Sequence, residues 1–252
     1  MSERLIIKTF EELKSKMSQL FGEYYIYRGT SNPSQILPQI VRNGYEKHEF
    51  EILKDFERYY GIYENVNSCW ELVALAQHHE LMTRLIDFTT NPYVALFFAL
   101  HPKPDDETTY QLFCIKKENT IELLDQDFSH FDYDTSEGTM KIFEKSQKEI
   151  YSSEFEYFAK QLEKKNLGKI VTIQPNIGNS RLLMQQGLFV FPLILDKDYI
   201  NKEINENSLI IEIDKSVREE ALGLLDKLGY NEYRLMPDLV SVCKEINSKY
   251  KK

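Results

Sequence analysis

Long apolar runs are missing from this 252-residue chain, and no stretch approaches the roughly 18 residues that would mark a membrane-spanning helix. The opening Met1-Ser2-Glu3-Arg4 passes through Leu5-Ile6-Ile7 into polar sequence without the apolar core of a signal peptide, so the expectation is a cytoplasmic protein with no membrane partner. Cysteine is scarce. Cys69, Cys114 and Cys243 are odd in number and far apart, which excludes a disulfide framework and suits a reducing compartment. Basic charge is also short, with 31 Lys and Arg against 40 Asp and Glu and a net charge of -9. That balance excludes wrapping nucleic acid through a globally basic surface and leaves only a local basic groove open. There is no glycine-rich phosphate loop of the P-loop or dinucleotide-fold type and no Gly-x-Ser-x-Gly elbow, so kinases and hydrolases built on those devices are unsupported. His78 and His79 are adjacent instead of four apart, and no metal site is expected from them.

Core-forming residues are plentiful: 42% of the chain is hydrophobic and 13% aromatic, well outside the composition of disorder. With no internal repeat and no low-complexity linker, residues 1–252 are expected to form one domain. Helical and strand periodicities are mixed without regular alternation, which points to an α+β fold, a small mixed or antiparallel sheet surrounded by helices. Helices are expected over 9–20, opened by a Thr9/Glu12 capping box, and over 46–60, 68–79, 92–100, 153–165, 216–228 and 238–250. Strands are expected near 24–28, 110–115, 170–173, 187–191 and 209–213. The acidic run from Asp125 to Gly138 lacks the ligand register of a calcium loop and reads as a solvated loop.

Chemistry concentrates in three places. In Tyr27-Arg28-Gly29-Thr30 a guanidinium sits at a strand end, beside a glycine that leaves room for an approaching ligand. Arg28 either takes an anion there or pairs with an internal acid such as Glu49 or Asp87. In the block Gln77 to Ala99, Arg84 and Asp87 lie three apart, and Thr89 and Asn91 stand ready to cap the helix entered at Pro92. Arg84 and Asp87 either pair to anchor the turn or serve a site. Two guanidiniums and one carboxylate are less costly together than apart, so Arg28, Arg84 and Asp87 are expected around one cleft. The third place is Arg181 to Phe189, where Gln185 and Gln186 precede Gly187. An amide there can hold a hydroxyl or a base edge, or can satisfy loose backbone groups.

Taken in order, Tyr27-Arg28-Gly29, the segment Leu37 to Arg42, Glu49 with Phe56, the block Gln77 to Ala99, Arg181 to Phe189 and the segment Leu228 to Leu239 resemble the FRG-domain family over roughly residues 20 to 245. His79, Glu80 and Met82 stand where the family usually has Tyr, Gly and Pro, which leaves the turn before Thr83 less fixed by sequence. The block order in turn looks like that of ADP-ribosyltransferases. That resemblance implies an NAD-dependent glycosyl transfer in which an effector, of phage-defence type, passes ADP-ribose to a protein or nucleic acid. It places Tyr27, Arg28 and Gly29 on the phosphate side of NAD, with Thr83, Arg84, Tyr93 and Phe97 in the wall around the nicotinamide. Gln186 falls at the ribose, where the late acid usually stands, and Asp87 supplies the negative charge an amide cannot. A non-catalytic nucleotide- or phosphate-binding module and a nucleic-acid-targeting effector are the alternatives.

Overall fold

The Thr9 side chain accepts from the Glu12 amide while Glu12 reaches back to the Thr9 amide, and this reciprocal cap opens helix α1 (Phe10–Phe21). The computed structural model describes residues 3–60, 66–105, 107–123, 151–165, 167, 169–174 and 180–236. The acidic run Asp125 to Gly138, the expected helix 238–250 and Cys243 lie outside those residues. The other two cysteines, Cys69 and Cys114, are buried and form no disulfide among the described residues, and burial pushes the Cys114 thiol up to about 12.

Strands β1 (Glu3–Ile7), β2 (Tyr25–Thr30), β3 (Ile86–Thr89), β4 (Tyr110–Lys116), β5 (Thr120–Leu123), β6 (Ile170–Ile173), β7 (Gly187–Val190) and β8 (Ser208–Ile213) form one sheet. Their order is β1-β8-β4-β2-β3-β7-β6-β5. The two edge pairs, β1 with β8 and β5 with β6, are parallel, and the interior pairs are antiparallel. The fold is therefore α+β with a mixed sheet, as expected, but the sheet is larger than the sequence suggested. In its middle β2 pairs with β3 through a single register position, Tyr27 opposite Thr89.

One face of the sheet carries a continuous apolar layer. Ile26, Ile86, Phe88, Phe113, Leu188 and Ile210 lie in it under α2 (Gln39–Arg42) and α8 (Lys197–Asn207). The remaining core divides into two clusters. The first gathers α1, α5 (Pro92–Leu100) and α9 (Arg218–Lys227) over β2, β4 and β8. The second gathers α3 (Glu49–Tyr60), α4 (Cys69–His78) and α6 (Tyr151–Glu163) beside β6 and β7.

Helix α5 is apolar on all sides and buried along almost its whole length, as a central helix must be. Asn91 caps it, accepting from the Tyr93 amide, and Pro92 occupies its first turn. It lies so close to β2 that a Cβ built on Gly29 would stand 1.7 Å from the Ala95 carbonyl oxygen. Gly29 is thus required by the contact of helix backbone with strand backbone, in addition to lining a cleft.

Candidate functional site

Between α4 and α5, and bounded on a third side by α7 (Ser180–Met184), lies a cleft of about 370 Å³. Its apolar wall is made by Ala74 of α4, Val94, Ala95 and Phe98 of α5, Leu182 of α7, and Phe88 and Phe189 of the sheet. It shares Arg28, Arg42, Gln77, His78, Asp87 and Arg181 with a contiguous, more polar chamber of about 260 Å³ that extends toward Pro38, Gln39 and Glu80. Three arginines, from β2, α2 and α7, thus line both chambers. Guanidinium offers only donors, arranged in a planar fork that matches phosphate or carboxylate.

Arg28 is a wall of this site and also a tie. Its side chain is only 16% exposed; Nη1 donates to the Asp87 carbonyl at 2.5 Å and Nη2 to the Gln35 carbonyl at 2.8 Å. The Asp87 carboxylate stands 3.9 Å from Nη1. The buried Nε has no acceptor among the described residues. Burial pulls the Arg28 pKa down, the Asp87 charge opposes that shift and the nearby Arg42 charge adds to it. Of the two alternatives the sequence left for an internal partner, the carboxylate beside Arg28 is Asp87.

Asp87 is well exposed on the cleft wall, and one carboxylate oxygen, Oδ2, accepts from Gln77 Nε2 at 3.2 Å. The same amide nitrogen donates to the Leu85 carbonyl at 3.3 Å. Gln77 Oε1 accepts from the Thr83 hydroxyl, whose oxygen accepts in turn from the Leu85 amide.

The shared cleft expected for Arg28, Arg84 and Asp87 forms without Arg84. Arg84 is 1% exposed and points away into the second core cluster, where Nε and Nη2 form a fork to the Glu49 carboxylate. Glu163 receives a further bond at 3.2 Å, and the guanidinium lies over the Phe191 ring, 4.8 Å from its centroid. A charge surrounded by aromatic rings needs carboxylates within bonding distance, and α3 and α6 bring them where Asp87, on the next strand, cannot.

The other expected residues divide in the same way. Tyr27 and Gly29 line the cleft with Arg28, although the Tyr27 hydroxyl donates to the Leu20 carbonyl and burial raises its pKa. Thr83 is buried behind Gln77 and does not line the cleft. Tyr93 stacks on Tyr230 with 5.5 Å between centroids, and Phe97 packs on His101 in the core. Both lie off the cleft because α5 turns Val94, Ala95 and Phe98 toward it, leaving positions 93 and 97, one helical turn apart, on another side. Gln186 is exposed with φ 47°, and its carbonyl accepts from the Thr90 amide at 3.0 Å. Of the two glutamines it is Gln185 that lines the cleft, and its Nε2 donates to the Leu235 carbonyl. Arg42, Gln77, His78 and Arg181 went unassigned in the sequence because only the tertiary fold brings them together. Among the described residues there is no group of three or more His, Cys, Asp or Glu that would hold a metal ion, and no helix is long and apolar enough to cross a membrane.

An α+β domain with a cationic cleft at its sheet centre is the class of protein these features define. Residues 23–108 match the FRG domain family model, so the chain carries an FRG domain over that stretch. That stretch holds β2, β3 and helices α2 to α5, and supplies Arg28, Arg42, Gln77, His78 and Asp87; Arg181 and Leu182 come from outside it. No curated protein and no solved structure matches the chain.

Proposed function

We propose that the FRG-domain cleft binds a nucleotide, with its phosphates against Arg42, Arg181 and the edge of Arg28 and its flat ring against the apolar wall of Ala74, Ala95, Phe98 and Phe189. The observation that carries this reading is the convergence of three guanidiniums on a cavity whose other wall is apolar. Phosphate alone needs no apolar wall, and an apolar ring alone needs no arginines; a nucleotide uses both.

NAD is the nucleotide of this class that fits a reaction as well as a site. Asp87 supports the reaction, since its exposed carboxylate lines both chambers. In glycosyl transfer the ribose C1′–N bond breaks, its electron pair leaves with nicotinamide, and the oxocarbenium-like ribose is attacked by an acceptor that gives up a proton. A fixed carboxylate lowers the energy of that positive charge without reorganising.

Calorimetry with NAD, ADP-ribose, ADP and pyrophosphate tests the binding. Arg42→Ala and Arg181→Ala should each weaken nucleotide binding by about tenfold or more, the worth of a charge-assisted bond. Incubation with labelled NAD and cell extract, followed by assay of free nicotinamide and of labelled protein and nucleic acid, tests the transfer. If none of the nucleotides binds at millimolar concentration, or if both variants match wild type, the nucleotide reading fails.

A further inference from the structure

The cationic cleft has one charged acceptor at the junction of its two chambers, and that acceptor is aimed. Asp87 Oδ2 is engaged by Gln77 Nε2, whereas Oδ1 has no partner among the described residues and belongs to a side chain open to the cleft. Gln77 can donate to Asp87 in only one orientation of its amide, because a flipped amide would set its oxygen against the carboxylate. The Thr83 hydroxyl, donating to Oε1, selects the donating orientation together with the Leu85 carbonyl, which accepts from Nε2, and the Thr83 oxygen is itself held by the Leu85 amide.

From this chain of bonds we infer that Asp87 is the ligand's hydroxyl reader and that Thr83, acting through Gln77, is its positioning residue. The inference rests on the nucleotide reading above and narrows it to ribonucleotides with free 2′ and 3′ hydroxyls. A carboxylate oxygen in a cleft accepts from a hydroxyl, a neutral N–H or an ammonium. Arg28, Arg42 and Arg181 line the same space and repel a cation, which leaves a neutral donor, and in a nucleotide the neutral donors nearest the phosphates are the sugar hydroxyls. In a nucleotide the hydroxyls sit on the sugar between the phosphates and the ring, and Asp87, 3.9 Å from Arg28, lines both the polar chamber and the one with the apolar wall.

The test compares ADP with 2′,3′-dideoxy-ADP by calorimetry on the full chain. Wild type should bind ADP about tenfold or more tightly, the value of a hydrogen bond to a charged group. Asp87→Ala should bring the two affinities close to equal. Thr83→Val removes the hydroxyl at nearly constant shape and should shrink the ratio toward one, while Thr83→Ser retains it. Gln77→Met should act like Thr83→Val and provides the same readout should the valine variant not fold. A purely structural role for Thr83 would lower melting and leave the ratio intact. Equal wild-type affinities, a ratio kept in Asp87→Ala, or equal ratios in Thr83→Val and Thr83→Ser would each overturn the inference while nucleotide binding stands. Absence of all ADP, NAD and ADP-ribose binding would remove the nucleotide reading and this inference with it.

Discussion

Replacing Gly29 by alanine adds one methyl group at the closest contact between the central helix and the sheet. The new carbon would lie 1.7 Å from the Ala95 oxygen, 2.7 Å from the Ala95 carbonyl carbon and 2.8 Å from the Ala99 nitrogen. All three are backbone atoms, so no side-chain rotation relieves them. To restore ordinary contact, α5 would have to retreat from β2 by roughly an ångström and a half. The backbone at Gly29 has ordinary dihedral angles, absent from the positive-φ positions of the chain, so the effect is steric alone. Overpacking of cores generally costs about 1–3 kcal/mol, and a rigid backbone contact under a mostly buried helix belongs at the upper end or beyond. A loss of about 3 kcal/mol lowers the melting temperature of a chain this size by about 6–12 °C. Urea unfolding of Gly29→Ala measures the loss directly, and Gly29→Ser should do at least as much harm. Because Val94, Ala95 and Phe98 also line the cleft, nucleotide affinity should fall together with stability. A Gly29→Ala protein within 1 kcal/mol of wild type would refute the argument and return Gly29 to a purely ligand-facing role.

Two further outcomes test the structure away from the cleft. Arg84→Ala should cost about 3–5 kcal/mol because it strands the Glu49 carboxylate in the core, and combining Arg84→Met with Glu49→Met should recover most of that in urea unfolding. Glu203 of α8 has its carboxyl raised above the ordinary 4.5, chiefly by burial and against a Tyr199 hydrogen bond. Folding therefore favours its protonated form; its contribution is fully present below the unfolded value and is lost as pH rises through the folded one. Glu203→Gln should accordingly raise the melting temperature at about pH 7, and the gain should fade at about pH 4.

Local signals made α1 and α5 legible: a capping box in one, Asn-Pro before an unbroken apolar run in the other. Strand β2 was legible through its aromatic, β-prone residues. Strand β3 was hidden because its four residues lie between Arg84 and Thr90-Asn91-Pro92, polar sequence that imitates a turn. Edge strand β1 buries only Ile7, and α8 buries only Ile200 and Ile204 in an otherwise polar stretch, so neither shows a full apolar face. The site divided along the same line. Arg28 and Asp87 stood out because each is a strong polar group beside apolar neighbours. Arg84 stood out for the same reason, yet its partner Glu49 lies 35 positions earlier, and no periodicity encodes that distance. Arg42 and Arg181 look like ordinary helix residues until the chain is folded.

The single backbone rung between β2 and β3 divides the sheet into two half-sheets sewn together at one stitch. Arg28 adds a side-chain stitch to the Asp87 carbonyl, and the apolar layer on one face lies beneath both halves like a backing cloth. A molecule lodged in the cleft would touch Arg28 on one half and Asp87 and Phe189 on the other. It would therefore work as a clasp. Its binding free energy would appear as resistance to parting of the halves, growing with the logarithm of its concentration. Slowed amide exchange at Tyr27 and Thr89, on either side of the rung, would then report occupancy from within the sheet, with no need to observe any reaction.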